Sequence, residues 1–149
     1  GAPLTTPSLL VVEDALDALP WANSIGGLPA LIARSEASLD AVRAWIDTSP
    51  YFDFLAEDPA TIANTGITLK ITDPWFVSLD DDRQVAIAAE LDKRLQDEGV
   101  AFDAASYRDA PPGIRIWAGP TVETRDVAAL LPWLDWVYAE ILGTADVAA

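Results

Sequence analysis

Three features of the sequence predict an α+β fold in which a small, mostly antiparallel sheet is covered by helices on one face. Two short segments, 66–72 and 113–117, alternate apolar and polar residues with the period of half-buried strands. Four longer segments space their apolar residues as one face of a helix. The elements do not alternate as β-α-β units; they run as two helices, two strands, a helix, one or two strands and a helix. Runs of that kind pair their strands antiparallel and leave one sheet face for the helices.

Residues 1–10 are rich in Pro and Thr, and Pro7 holds Thr6 extended, so the chain starts with a lead-in. From Val11 to Ile25 the spacing of Val12, Leu16 and Leu19 predicts a helix, with Glu13 and Asp14 in the first turn, where the macrodipole favours them. Pro20 is expected to kink or end it, and Gly26-Gly27 to separate it from the next element. The second helix begins near Pro29, a favourable first-turn residue, and carries Leu28, Ile32, Leu39, Val42 and Ile46 to about Asp47. At some 20 residues and roughly 30 Å it is long enough to cross a domain. This divides the chain into a lead-in and helix over 1–26 and a domain with a long connecting helix over 27–149.

Thr48-Ser49-Pro50 breaks the helical pattern, Tyr51 to Ala56 reads as a short strand, and Glu57 to Thr65 as a loop. Gly66 to Thr72 puts Ile67, Leu69 and Ile71 inward and Thr68, Lys70 and Thr72 outward, until Asp73-Pro74 ends the strand. Asp80-Asp81-Asp82 resembles a cation site, but three acids ahead of Val85, Ile87, Ala88, Leu91 and Leu95 are more simply a capped helix start. Gly99 suits the C′ position of that helix, and Val100 to Phe102 reads as a further short strand. Thr124 is placed to cap a last helix with the stripe Val127, Leu130, Leu131, Leu134, Val137, Tyr138 and Ile141, kinked at Pro132 and fraying from Gly143.

Composition narrows the chemistry. A length of 149 residues, half of them hydrophobic, is enough to bury a core. With neither Cys nor His, disulfides, thiolate sites and His-dependent triads are excluded within the chain, and a zinc site is strongly disfavoured. A net charge of -15 repels phosphate backbones and anionic membranes, so nucleic-acid and membrane partners are disfavoured. No stretch approaches a membrane span and no N-terminal pattern reads as a signal peptide, which points to a soluble, cytoplasmic setting. The lack of any Met, with Gly at position 1, suggests a trimmed or excised piece. The six Trp residues read as core and interface anchors before ligand platforms.

The stretch from Ser106 to Trp117 is the most informative. Pro111 and Pro112 stiffen the approach, Gly113 permits a turn, and Ile114 and Ile116 then alternate with Arg115 and Trp117. Arg108 on the loop and Arg115 on the strand could converge on one anion, since a planar guanidinium matches carboxylate or phosphate with two parallel hydrogen bonds. Taken alone, each reads first as a surface ion-pair partner among 24 carboxylates, but with a net charge of -15 such positive sites are scarce.

The run Tyr107-Arg108-Asp109-Ala110-Pro111-Pro112-Gly113-Ile114-Arg115-Ile116-Trp117 resembles the C-terminal signature of the phosphoserine aminotransferase family. Thr6 to Asp14, Asp58 to Thr61 with Asn64-Thr65, and Leu131 to Trp136 match in the same order. The resemblance covers only the last portion of a much longer enzyme. It implies a fold-type I, pyridoxal phosphate-dependent aminotransferase that is homodimeric and moves an amino group between glutamate and 3-phosphohydroxypyruvate, giving phosphoserine and 2-oxoglutarate. It further implies that Arg115 pairs with the substrate α-carboxylate, that Arg108 and Tyr107 contact the substrate phosphate, and that Thr6 and Thr5 lie at the cofactor phosphate of the neighbouring subunit. Other branches carry His in place of Tyr107, and Thr5 replaces an Asn. The two lysines, Lys70 on an outward strand face and Lys93 on a solvated helix face, lack the neighbours of a cofactor lysine. No catalytic residue is therefore expected in this chain, and pyridoxal phosphate is not expected to be bound covalently here. The alternative is a freestanding, non-catalytic anion-binding or dimerisation module of α+β fold, with the Trp-rich last helix as its contact.

Overall fold

The computed structural model describes residues 8–105, 107 and 109–146. The helices are α1 (Leu9–Ser24), α2 (Gly27–Ile46), a short α3 (Pro74–Val77), α4 (Asp81–Asp97) and α5 (Thr124–Asp146), with a 3-10 turn at Pro59–Thr61. The strands β1 (Phe52–Phe54), β2 (Gly66–Ile71) and β3 (Gly113–Trp117) form one antiparallel sheet in the order β1-β2-β3.

Register follows from burial. Ile67, Leu69 and Ile71 of β2 sit opposite Ile116, Ile114 and Phe52, and all six are buried on the face that meets α2, α4 and α5. Thr68 and Arg115 pair on the opposite face. The outer edge of β3 is occupied: the Arg115 amide donates to the Ala104 carbonyl at 2.8 Å, and Ala105 bridges to Ile114. The core of the α+β fold is completed by Leu91 and Leu95 of α4 and by Leu131, Leu134, Val137, Tyr138 and Ile141 of α5.

Side chains lock the helices to one another. In α2, Arg34 donates to the Pro120 carbonyl at 2.7 Å and to Glu123 at 2.6 Å, fixing the turn ahead of α5. The neighbouring guanidinium holds the Glu123 carboxyl below its ordinary range. Asp135 of α5 accepts from Trp45 Nε1 at 2.6 Å and from Ser49 Oγ at 2.5 Å, tying α5 to the end of α2. The buried Tyr138 donates its hydroxyl to Asp73 at 3.2 Å, while the same carboxylate caps α3 by accepting from the Phe76 amide. Burial, followed by the nearby Asp73 charge, pushes the Tyr138 phenol well above its ordinary range.

Several expectations are corrected. Leu9 already starts α1, which runs through Pro20 to Ser24, and none of its residues is buried. Val12, Leu16 and Leu19 stay exposed, as do Leu28 and Ile32 at the start of α2, so the apolar spacing in this region does not mark a core face. Tyr51 to Ala56 contracts to the three residues of β1. The proline-headed α3 and the Pro59–Thr61 turn, each capped by the preceding Asp, occupy segments read as a strand end and a loop. Val100 to Phe102 is not a strand; it is the turn after α4, shaped by Gly99 at φ 69. Thr124 is the first residue of α5, one place inside the expected cap position, and its hydroxyl meets Ser38 at 3.0 Å. The helix also continues past Gly143 to Asp146, where fraying was expected.

Candidate functional site

Arg115 lies in the middle of β3, held to β2 opposite Thr68. Gly113 is what lets this strand sit so close. It is not a turn residue but the first residue of β3, and a Cβ there would run into the carbonyl oxygen of Leu69. Gly113 thus serves close strand approach, with no positive φ to require glycine there.

The Arg115 side chain is 19% exposed. Its Nη2 donates to Asp103 Oδ2 at 3.0 Å, and its Nη1 donates to the Tyr107 hydroxyl at 3.1 Å. The guanidinium carbon also lies 4.4 Å from the centre of the Tyr107 ring, a cation–π distance. Nε is buried and has no hydrogen-bond partner among the described residues. A guanidinium recognises a carboxylate along an edge with two parallel donors, and the Nε–Nη2 edge here has one donor idle and the other on an exposed acid. The group borders a cavity of about 320 Å³ lined by Phe102, Asp103, Ala104, Trp117 and Leu130 among others, a size that suits a small organic anion.

The other expected site residues divide. Tyr107 joins Arg115, as its contacts show. Arg108, Thr5 and Thr6 lie outside the described residues, and with Arg108 so does the convergence of the two guanidiniums. Asp80 caps α4 by accepting from the Arg83 amide at 2.9 Å, and Asp81 and Asp82 lie in the first helical turn, as helix-start residues do. No group of His, Cys, Asp or Glu that could hold a metal is found among the described residues. No described helix is long and apolar enough to cross a membrane.

Neither lysine fits a Schiff-base role. Lys70 faces Asp53 at 3.8 Å on the open sheet face, and Lys93 is paired with Asp97 on the exposed side of α4. The Asp97 hydrogen bond and charge raise the Lys93 pKa, the opposite of what a nucleophilic amine needs. A residue that sequence reasoning missed is Asp103. It is one acid among many in an acidic chain, and its pairing with Arg115 twelve positions on exists only once the turn after α4 folds against β3.

No protein-family model matches the chain. Against curated proteins it is 41% identical over 138 residues to a phosphoserine aminotransferase of Methanosarcina barkeri and 39% identical to that of Methanosarcina mazei, covering 93% of this chain in both cases. The chain is homologous to the C-terminal portion of phosphoserine aminotransferases. It spans about a third of the length of those relatives, 35% of each. A phosphoserine aminotransferase of Nocardioides is more distant, at 30% identity over 133 residues. The solved structure of the phosphoserine aminotransferase from Bacillus circulans subsp. alkalophilus superposes on 91% of this chain with a TM-score of 0.72 and 17% identity, covering 34% of that chain. That likeness establishes the fold: five helices and a three-stranded antiparallel sheet arranged as in the phosphoserine aminotransferase domain.

Proposed function

We propose that this chain is the substrate-holding domain of a phosphoserine aminotransferase, an enzyme that moves an amino group between glutamate and 3-phosphohydroxypyruvate in serine biosynthesis. The observation that carries this reading is the placement of Arg115: a mostly buried guanidinium at the edge of a small cavity, one donor unpartnered among the described residues, in a chain homologous to such enzymes over 93% of its length. In this role Arg115 receives the substrate α-carboxylate. Arg108 and Tyr107 serve the phosphate, with Tyr107 also stacking on the Arg115 guanidinium. Thr5 and Thr6 lie at the cofactor phosphate of a neighbouring subunit in a homodimer, and the enzyme works in the cytoplasm. Pyridoxal phosphate, when bound to the complete enzyme, supplies the electron sink for the amino transfer. With both lysines ion-paired at the surface, this chain contributes binding and orientation, and the amine that holds the cofactor belongs to another part of the enzyme. That α1 has no fully buried residue agrees with residues 1–26 packing on that part, leaving 27–149 as the small domain.

The test uses the complete enzyme. Arg115→Ala is expected to raise KM for both glutamate and the phosphorylated substrate by about 10- to 100-fold, the loss of a charge-assisted hydrogen-bonded pair. Arg108→Ala is expected to harm mainly the phosphorylated one. Equal losses for both substrates from Arg108→Ala would refute the division of labour, and unchanged KM values in Arg115→Ala would refute the site.

A further inference from the structure

Beside the buried Nε, which has no hydrogen-bond partner among the described residues, Arg115 Nη2 is already taken by a carboxylate of the chain itself. Asp103 Oδ2 accepts from Arg115 Nη2 at 3.0 Å, and its backbone carbonyl lies 3.5 Å from the same nitrogen. Asp103 is held there by its backbone. It is the one described non-glycine residue at positive φ, 56°, a conformation that Asp and Asn tolerate better than other side chains. The next residue is pinned from two sides: the Ala104 amide donates to Asp92 of α4 at 3.0 Å, and the Ala104 carbonyl accepts from Arg115 itself. The turn is thus fastened while the Asp103 side chain reaches out over the arginine.

The two partners are unequally solvated: the Asp103 side chain is 89% exposed and that of Arg115 only 19%. An exposed carboxylate holds its partner weakly and is readily replaced, whereas the guanidinium has few other places to go. The Asp103 carboxylate also makes a one-point contact, through a single oxygen to Nη2, and leaves Nε without a partner among the described residues. A carboxylate ligand arriving along the Nε–Nη2 edge would satisfy both nitrogens, but it needs the position that Asp103 holds.

We propose that Asp103 is an internal placeholder carboxylate: it keeps the Arg115 guanidinium aimed and paired when no ligand is present, and gives way to the carboxylate of an incoming ligand. This rests on the reading of Arg115 as a carboxylate site. It adds a positioning residue and a reason why the arginine does not collapse onto one of the chain's many other acids. Asp103 then sets a threshold: a ligand binding at two points displaces it, and a ligand offering no carboxylate does not.

The experiment is an acetate titration of the isotope-labelled chain followed by NMR at the Arg115 Nε–H, at constant ionic strength and with acetamide as the uncharged control. Asp103→Asn keeps a residue suited to positive φ and removes the charge. It is expected to bind acetate about 2- to 5-fold more tightly than the parent, the range set by an exposed ion pair, and to exchange its Nε–H with water faster when acetate is absent. Asp103→Gly, free of backbone strain at this position, should behave alike and guards against a folding effect. Asp17→Asn removes a charge on α1, an element that packs on α2, and should change neither quantity. Equal or weaker acetate binding by Asp103→Asn, with the Arg115 resonance responding in both proteins, overturns the placeholder and leaves the carboxylate role of Arg115 standing. Absence of any response at Arg115 in either protein also overturns the placeholder; KM of Arg115→Ala in the complete enzyme then decides separately whether the substrate reading falls with it.

Discussion

Gly113→Ala should damage the fold at the strand that carries Arg115. A Cβ on Gly113 would approach the Leu69 carbonyl oxygen below the 3.0 Å floor that real Cβ contacts respect, and would lie 3.3 Å from the Leu69 carbonyl carbon. Both obstacles are backbone, so no side chain can swing aside, and β3 must move off β2 by roughly 1 Å. Overpacking of this kind costs about 1–3 kcal/mol, and stretching the adjoining ladder hydrogen bonds adds about 1 kcal/mol. A total near 3 kcal/mol lowers Tm by about 6–12 °C for a chain of this size. Thermal unfolding followed by circular dichroism measures it. Gly66→Ala is the matched control: it sits at the other end of the same strand pair, opposite Trp117, and a Cβ there meets nothing within 4 Å. That variant should be neutral or slightly stabilised, because alanine restricts the unfolded chain. If the two substitutions shift Tm equally, close strand approach is not what Gly113 provides.

Two further predictions concern the scaffold. Asp135→Ala removes the acceptor for both Trp45 Nε1 and Ser49 Oγ and should cost about 2–3 kcal/mol in urea unfolding, with Asp135→Asn recovering part of the loss. Tyr138→Phe deletes only the hydroxyl that reaches Asp73; since Asp73 keeps the Phe76 amide, the loss should stay near 1 kcal/mol, and a cost above about 3 kcal/mol would mean the phenol does more than this bond.

Much of the fold was legible where one face is buried. The alternation of Ile67, Leu69 and Ile71, and of Ile114 and Ile116, has only one burial solution, so β2 and β3 lie where the pattern placed them. The acids at 80–82 announced α4 because capping is a local hydrogen bond. Burial of α1 was not legible, since helical spacing of Val12, Leu16 and Leu19 reports a helix but not what covers it. The one-turn α3 escaped because its signal is a single Asp-Pro pair, which equally ends a strand. At the site, Arg115 stood out because strand alternation fixed its face. Asp103 could not, because its partner is selected by a turn whose positive φ belongs to an ordinary aspartate.

The occupied edge of β3 matters beyond the site. An unpaired strand rim is a template on which other chains can add, and proteins with exposed apolar helices such as α1 can ill tolerate a second sticky surface. Here residues 104–105 lie along one rim of the sheet and the other rim is only the three residues of β1. The same short segment that presents an acid to Arg115 therefore also shields the sheet from templated growth, and loosening it should show first as aggregation of the protein on storage.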